Sequence, residues 1–176
     1  MQGCKRVVSL LENELLEKLY KQYYRELYVY IYAICRQKVM TEDVLQETFL
    51  KAFTALKESH TNMRAWLYVV ARNLCLNGIR KEKNMIASGE IMYHTPAAMD
   101  VLEKIIADEQ ARELTRALMK LSNPKREVLI LQYFGGFKQR EIAAMLQLTP
   151  ENVRVLSLRG KKDLKILLEV NRDELS

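Results

Sequence analysis

The chain has 176 residues, of which 49% are hydrophobic and 28% are charged, and its net charge is +6 at pH 7. This hydrophobic fraction excludes a disordered chain, and six Gly and three Pro are too few for the frequent turns of a β-sandwich or barrel. Widely spaced Cys4, Cys35 and Cys75 indicate a reducing compartment, and no apolar run reaches the roughly 20 residues of a membrane span, so we expect a cytoplasmic protein without membrane insertion.

Apolar residues recur at helical spacing in eight runs, near 10–23, 25–37, 41–56, 63–82, 100–120, 124–134, 138–146 and 150–169. The stretch 84–100 breaks this period and contains Gly89 and Pro96, which are typical of a linker. The sequence therefore predicts an all-α fold in which two small helical domains, 1–83 and 101–176, are joined by a linker at 84–100.

The charge is concentrated in two lobes, because 1–83 and 111–176 each carry a net +5 whereas 84–110 carries −4. A basic lobe attracts polyanions, and nucleic acid is the commonest polyanion partner of a protein. The same charge also serves solubility, so by itself it leaves both interpretations open.

The run 41–53 predicts a helix with Thr41 as its N-cap. At 100° per residue one side carries the apolar residues expected in the core, namely Leu45, Phe49, Ala52 and Leu56. The opposite side mixes carboxylates and an amide with two large apolar side chains: Asp43, Gln46, Glu47, Leu50 and Phe53. Such a face is poor for DNA and suits a basic, apolar groove on another protein, although a solvated face with incidental apolar residues also explains it.

The run 64–81 predicts a second helix, which should bury Leu67, Val70 and Leu74. One flank aligns an aromatic ring, two amides and a guanidinium: Trp66, Asn73, Asn77 and Arg80. Amides are mediocre helix formers, so this alignment suggests contacts with bases and phosphates, and the polar loop 57–63 could accept an unstacked base. Trp66 taken alone is better explained as a core residue.

The segment 139–156 has the spacing of a helix-turn-helix. The residues expected to face inward are Ile142, Ala143, Leu146, Leu148, Val153 and Leu156. Thr149 is a good N-cap and Pro150 suits the first helical position, which gives the second helix a sharp start, whereas Gln147 stands where the turn often prefers Gly. An ordinary helical hairpin is the alternative, but cap, spacing and charge together favour the DNA-reading motif.

The second helix of this motif carries the candidate base contacts. Arg154 can bond guanine and Asn152 adenine, each with about 1–3 kcal/mol of discrimination. The phosphate contacts expected next to them are Arg159, Lys161 and Lys162. The other outward residues are Glu151, Val155 and Leu158. Three explanations are open for the two apolar residues: contact with thymine methyls, contact with a protein partner, or packing inside the domain. Gly160 indicates a close approach or a kink.

Two segments of the chain resemble a known family. TEDVLQETFLKAF (41–53) followed by RAWLYVVARNLCLNGIRK (64–81) is similar to region 2 of the small extracytoplasmic-function (ECF) sigma factors of bacterial RNA polymerase, in the sigma-70 family. LSNPKREVLILQYFGGFKQREIAAMLQLTPENVRV (121–155) is similar to their region 4. Order, spacing and linker agree over nearly the whole chain. The chain departs from the family at 155–158, where a small polar residue, Arg, Leu and a polar or aromatic residue are usual.

The resemblance implies a transcription initiation factor that binds core RNA polymerase and directs it to promoters. It implies that the polymerase clamp coiled coil is bound by Asp43, Gln46, Glu47, Leu50 and Phe53. The −10 element would be read and opened by Lys57, His60, Asn62, Arg64, Trp66, Arg72, Asn73, Asn77, Arg80 and Lys81. The −35 duplex would be read by Lys138, Gln139, Arg140, Glu151, Asn152, Arg154, Val155, Leu158, Arg159 and Lys162.

The implied partners are core RNA polymerase and promoter DNA, and the free protein is expected to be a monomer. Family members are commonly held by an anti-sigma factor, although no residue here identifies one. We expect no catalysis, cofactor or metal, because His60 and His94 are the only histidines and lack ligand spacing. One alternative is a polymerase-independent helix-turn-helix repressor or activator, which predicts a dimer on a palindrome and leaves the 41–53 face unexplained. A purely protein-binding helical adaptor is disfavoured by the basic lobes.

Overall fold

The computed structural model describes residues 2–55, 62–88 and 109–173, with side chains at 14, 17–55, 62–88 and 112–170. The described residues contain helices and no strand, which confirms the all-α prediction. The helices are α1 (Gln2–Cys35), α2 (Lys38–Ala55), α3 (Met63–Ala87), α4 (Glu109–Lys120), α5 (Asn123–Tyr133), α6 (Gln139–Leu146) and α7 (Pro150–Asp173). The chain divides into two compact units, Met1–Ala97 and Ala98–Ser176. None of the described helices is long and apolar enough to span a membrane.

Helix α1 is one continuous helix of 34 residues, where the sequence predicted two helices near 10–23 and 25–37. The prediction of two helices was wrong because no Gly or Pro occurs between Cys4 and Cys35 to break the helix. The helix ends where Arg36 adopts a left-handed φ of 58° and its N–H donates to the Tyr32 carbonyl at 2.9 Å.

The core of the first unit is built around the second half of α1. All seven residues from Leu27 to Ala33 are buried, so this stretch is covered on every side by the rest of the unit. Helix α2 contributes the predicted core residues Leu45, Phe49 and Ala52, and helix α3 contributes the predicted Leu67. The ring centroids of Tyr30 and Tyr68 lie 4.9 Å apart, an aromatic contact between α1 and α3 that adds to area burial.

The boundaries of α2 and α3 differ from the predicted ones. Helix α2 begins at Lys38, so the prediction of Thr41 as its N-cap was wrong; Thr41 is fully buried and its hydroxyl donates to the Gln37 carbonyl at 2.7 Å. Helix α3 continues through Ala87, so the first four residues of the predicted linker are helical. Leu56 and positions 89–108, including most of the predicted linker, lie outside the described residues.

The second unit packs α4, α5 and α7 around a leucine cluster formed by Leu118, Leu121 and Leu129, with Leu114, Leu164 and Leu167 packed against it. Beside this cluster Arg126 is only 1% exposed. Its Nη1 donates to the Leu121 carbonyl at 2.6 Å and its Nη2 to the Asn123 side chain. A cation at the carboxyl end of α4 is favourable, because the last carbonyls of a helix lack partners within the helix.

Helices α6 and α7 form the predicted helix-turn-helix. Gln147 ends α6 in the left-handed conformation, with φ 57°, and the Leu148 N–H donates to the Ala143 carbonyl at 2.9 Å. The Thr149 hydroxyl accepts the Asn152 N–H at 3.2 Å, which confirms the predicted cap. Gly160 marks a close approach, one of the two predicted explanations, because a Cβ there would lie 3.1 Å from Leu129 Cδ1.

Candidate nucleic-acid and protein interfaces

The outer face of α2 is exposed as the sequence predicted. Asp43, Gln46 and Glu47 are exposed, Leu50 is 60% exposed, and Phe53 is half-buried. Sequence reasoning missed Val39, which is 69% exposed and lies one helical turn before Asp43 on the same stripe. It was missed because the helix was predicted to begin after it.

The acidic side chains on this face form only weak, exposed ion pairs. Glu47 lies 3.6 Å from the Lys51 ammonium, and both side chains are about half exposed. Exposed pairs of this kind contribute about 0.2–1 kcal/mol and exchange readily with solvent. The acidic groups therefore remain able to meet a basic partner, beside large apolar side chains that gain from being covered.

Helix α3 presents the two predicted amides on its surface. Asn73 and Asn77 are exposed one turn apart, and Arg80 and Lys81 continue the exposed surface toward the C-terminus of the helix. Trp66 and Arg72 are half-buried. Helix α3 is uninterrupted, so residues three or four apart in the sequence lie next to each other on its surface, as predicted. Val70 and Leu74, expected in the core, are only half-buried.

Two other residues predicted to contact DNA are engaged within the protein. The Asn62 side chain accepts the Ala65 N–H at 3.1 Å and caps α3. Arg64 donates from Nη2 to Oε2 of Glu26 at 2.6 Å, and this hydrogen bond raises the pKa of the guanidinium above its ordinary value. Both interactions fix the start of α3. Lys57 and His60 lie outside the described residues.

A groove of about 1000 Å³ runs between α2 and α3 and brings the two predicted surfaces of the first unit together. Its lining includes acidic residues of α2 and polar or basic residues of α3: Asp43, Glu47, Asn77, Arg80 and Lys81. At one end Gln37 donates from Nε2 to both carboxylate oxygens of Glu82, at 2.8 and 2.9 Å. Among the side chains that the structure describes, no cluster of His, Cys, Asp or Glu could hold a metal ion.

In the second unit the outer face of α7 is polar, basic and partly apolar. Its exposed residues are Glu151, Asn152, Arg154, Val155, Leu158, Arg159, Lys161 and Lys162, and those at the start of α6 are Lys138, Gln139 and Arg140. Val155 is 40% exposed and Leu158 is 57% exposed, so neither of them packs inside the unit. They are available to a partner, whether thymine methyls or protein.

The buried side of α7 anchors this face firmly. Val153 and Gly160 are buried, and the hydroxyl of buried Ser157 donates to the Gln132 side chain at 2.8 Å. Lys125 of α5 pairs with Asp163 of α7 at 2.5 Å. Helix α7 is therefore attached to α5 by packing, a hydrogen bond and an ion pair, which positions its exposed residues as a rigid set.

Comparison with known proteins assigns both units to described families. The family model described as Sigma-70 region 2 matches residues 19–85, and the model described as Sigma-70, region 4 matches residues 111–164. Two relatives are similar over most of the chain. The ECF RNA polymerase sigma factor SigL of Mycobacterium tuberculosis is 30% identical, over 90% of this chain and 91% of its own. The ECF RNA polymerase sigma factor SigX of Bacillus subtilis is 27% identical, over 93% and 88%.

Two solved structures share the fold. The sigma factor RpoE from Bartonella quintana, in complex with the anti-sigma factor NepR, matches with a TM-score of 0.66 and 20% identity, over 97% of this chain and 99% of that one. CnrH, in complex with the cytosolic domain of CnrY, matches with a TM-score of 0.62 and 24% identity, over 90% of both chains. At these identities the likeness concerns the fold.

Proposed function

Because the chain belongs to the ECF sigma factors of the sigma-70 family, which direct RNA polymerase to promoters, we propose a division of that work among three of its surfaces. The outer face of α2 binds core polymerase, helix α3 opens the −10 element, and helix α7 reads the −35 duplex. In this proposal region 2 corresponds to 1–83, the linker to 84–100 and region 4 to 101–176. The observation that carries the proposal is that all three surfaces are exposed and chemically distinct.

The proposed polymerase-binding surface consists of Asp43, Gln46, Glu47, Leu50 and Phe53, to which we add Val39. Its composition supports this role, since carboxylates repel DNA phosphates whereas a basic, partly apolar protein groove satisfies both kinds of side chain. Leu50 and Val39 are more than half exposed, so binding would remove substantial apolar area from water. The clamp coiled coil of the polymerase is the partner that the family implies.

The proposed −10 surface is centred on Asn73 and Asn77. Opening a promoter requires extruding a base, which costs a few kcal/mol, and amides can recover part of that cost by bonding the edges of the unpaired base. Arg80 and Lys81, exposed at the end of the same surface, would hold phosphates. The remaining residues of the proposed set are Lys57, His60, Asn62, Trp66 and Arg72, while Arg64 contributes by fastening α3 to α1.

The proposed −35 surface is the outer face of α7 with the start of α6. Arg154 and Asn152 lie in the first turns of α7, the part of a recognition helix that enters the major groove. Arg159 and Lys162 follow along the same helix and suit phosphates. Glu151, Val155 and Leu158 complete the face, with Lys138, Gln139 and Arg140 at the adjoining helix start.

Neither DNA surface needs high affinity of its own. When both units are bound to the same polymerase, the second DNA contact becomes effectively intramolecular. This strengthens overall binding by orders of magnitude without new contacts. This arrangement would make promoter opening depend on polymerase.

We also propose that the chain performs no catalysis of its own, that it works in the cytoplasm, and that an anti-sigma factor is a third partner. The first follows from its role, because the polymerase carries out the chemistry. The last is supported by the structural neighbour RpoE, which is bound by an anti-sigma factor in its solved complex.

Run-off transcription with purified core polymerase tests the proposal. We expect transcripts from a specific promoter only when the chain and the core enzyme are both present. Tight binding to a duplex palindrome without polymerase, together with no run-off product, would contradict the proposal and favour a polymerase-independent regulator.

A further inference from the structure

Helix α3 extends beyond the residues proposed to meet the −10 element, and its last turns carry further exposed polar side chains. Asn84, the first residue of the predicted linker, is helical and exposed. The Ser88 N–H donates to the Asn84 carbonyl at 2.9 Å, and the Ser88 hydroxyl donates to the Met85 carbonyl at 3.0 Å. These bonds close the end of the helix, so Asn84 keeps a regular helical position.

Asn84 lies on the same face of α3 as the two amides of the proposed −10 surface. It follows Asn73 by eleven residues and Asn77 by seven, which at 100° per residue places all three within about 40° of one another. Their side chains form no hydrogen bond to any other described residue. Asn84 lies about 16 Å beyond Asn73 along the helix axis, at 1.5 Å per residue. This length matches as many as about five base-pair steps of duplex DNA.

Three cations flank this row of amides and are available to phosphates. Arg80, Lys81 and Lys83 are exposed, and none of them forms an ion pair with another described residue. Lys81 and Lys83 lie on opposite sides of Asn84, about 60° and 100° around the helix from it. A row of amides between cations suits DNA, because the cations neutralise backbone phosphates while the amides contact base edges.

The single acid in this part of α3 lies on the opposite side of the helix. Glu82 is the only Asp or Glu between positions 73 and 88 of the sequence, and about 160° separates it from Asn84. It is half-buried, and both of its carboxylate oxygens accept from Nε2 of Gln37, at 2.8 and 2.9 Å. Gln37 therefore holds the acid away from the row of amides, where it repels DNA phosphates least.

We propose that the C-terminal end of α3 is a further DNA contact, in which Asn84 reads base edges of the duplex just upstream of the −10 element and Lys83 holds a backbone phosphate. The inference rests on the proposed role of α3 in opening the −10 element and extends it from unpaired bases to the adjoining duplex. Upstream is the side on which the duplex persists, because opening separates the strands downstream. The chain would therefore prefer particular base pairs in the spacer between the two promoter elements.

Two forked DNA probes without a −35 element separate this contact from the proposed −10 contact. The duplex of the short probe ends at the upstream edge of the −10 element, and the long probe adds several base pairs of spacer. With core polymerase and the full chain, we expect the long probe to bind several-fold more tightly. Lys83→Ala combined with Asn84→Ala should lose most of this gain and bind the short probe unchanged. Lys18→Ala, which removes an exposed lysine of α1, should keep the gain.

A second pair of variants tests which side of α3 faces DNA. Asn84→Asp places a carboxylate of the same size in the row of amides and should abolish the gain of the long probe. Glu82→Gln removes a charge on the opposite side and should change the gain little.

The possible outcomes distinguish this inference from the proposed function. Equal gains in the parent protein and in the double variant, or no gain in the parent protein, would overturn the inference alone. Loss of polymerase binding by Asn84→Asp would also overturn it, because this face would then belong to a protein partner. If the parent protein fails to bind even the short probe, the proposed −10 role is wrong and this inference is wrong with it.

Discussion

Arg64 and Glu26 form a two-point ion pair, with Nε 3.1 Å from Oε1 and Nη2 2.6 Å from Oε2, which fastens the start of α3 to α1. We expect Arg64→Gln and Glu26→Gln each to lower the free energy of unfolding by about 1–2 kcal/mol, with a double mutant little worse than either single one. Urea denaturation measures this. The exposed pair Lys21–Glu17 is the control, and Lys21→Gln should leave stability unchanged within the error of the measurement.

The same two variants separate a structural role of Arg64 from direct DNA contact. If Arg64 acts only through Glu26, the variants should lose promoter opening to the same small extent at a temperature where both are folded. A much larger loss for Arg64→Gln would show that the guanidinium also contacts DNA.

Reversing the charge of the α2 face should strongly weaken polymerase binding. With Asp43→Arg and Glu47→Arg combined, a basic partner groove meets like charge, and we expect affinity for core polymerase to fall at least about tenfold. Co-elution in size-exclusion chromatography measures the loss, and circular dichroism checks the fold. Glu42→Arg is the matched control, since it reverses an exposed acid about 100° around the same helix. Unchanged co-elution of the double variant would disprove the assignment of this face.

Removing one α3 amide should impair opening but not assembly. Asn73→Ala removes amide hydrogen bonds to a base that are worth about 1–3 kcal/mol. We therefore expect roughly tenfold less open complex, with polymerase binding unchanged. Open complex is measured by the fluorescence of 2-aminopurine in the −10 element. Gln22→Ala, which removes an exposed amide of α1, should behave like the parent protein. Normal opening by Asn73→Ala would place base recognition elsewhere.

Two arginines of α7 should have different roles at the −35 element. Arg154→Ala should relax sequence preference at one position by about 1–3 kcal/mol, whereas Arg159→Ala should weaken all sequences alike and reduce the salt slope by about one. Binding of the polymerase complex to −35 variants at several salt concentrations distinguishes them. If Arg154→Ala keeps the parental preference, the readout belongs to neighbouring residues such as Asn152.

The buried hydroxyl of Tyr28 should make stability fall at alkaline pH. This hydroxyl has no hydrogen-bond partner among the described residues, and burial raises the pKa of Tyr28 to about 12. The pKa of Tyr28 in the folded state therefore exceeds its value in the unfolded state, which is about 10. The contribution of the protonated Tyr28 to the free energy of unfolding is complete below pH 10 and is lost as the pH rises toward 12. Tyr28→Phe should be neutral or slightly stabilising at pH 7 and should flatten this decline.

Melting temperatures between pH 8 and 11 measure the effect. Some decline should persist in the variant, because burial also raises the pKa of Tyr68. An identical decline in Tyr28→Phe and the parent would contradict the prediction.

Local signals in the sequence predicted the second unit well. Thr149 and Pro150 mark the start of α7 within the sequence itself, and the helix begins at Pro150 as expected. Gly160 indicated a close approach or a kink, because an interior glycine costs helix stability, and Leu129 packs closely against it. The exposed faces of α2 and α3 were also predictable, because the helical period is a local pattern that places their polar residues on one side of each helix.

Interactions between distant residues were not predictable in this way. The ion pair of Arg64 with Glu26 joins residues 38 positions apart, and no local pattern selects Glu26 over other acids. The burial of Arg126 depends on backbone carbonyls at the end of α4, which any sequence provides. Thr41 looked like a cap because its side chain can serve as one, but tertiary packing placed it inside α2 next to Cys35.

The most direct test of the account is permanganate footprinting of a promoter, which detects unpaired thymines in the −10 element. We expect reactive thymines when core polymerase and the chain are both present, and none with either alone. Equal reactivity without the chain, or opening by the chain without polymerase, would contradict it.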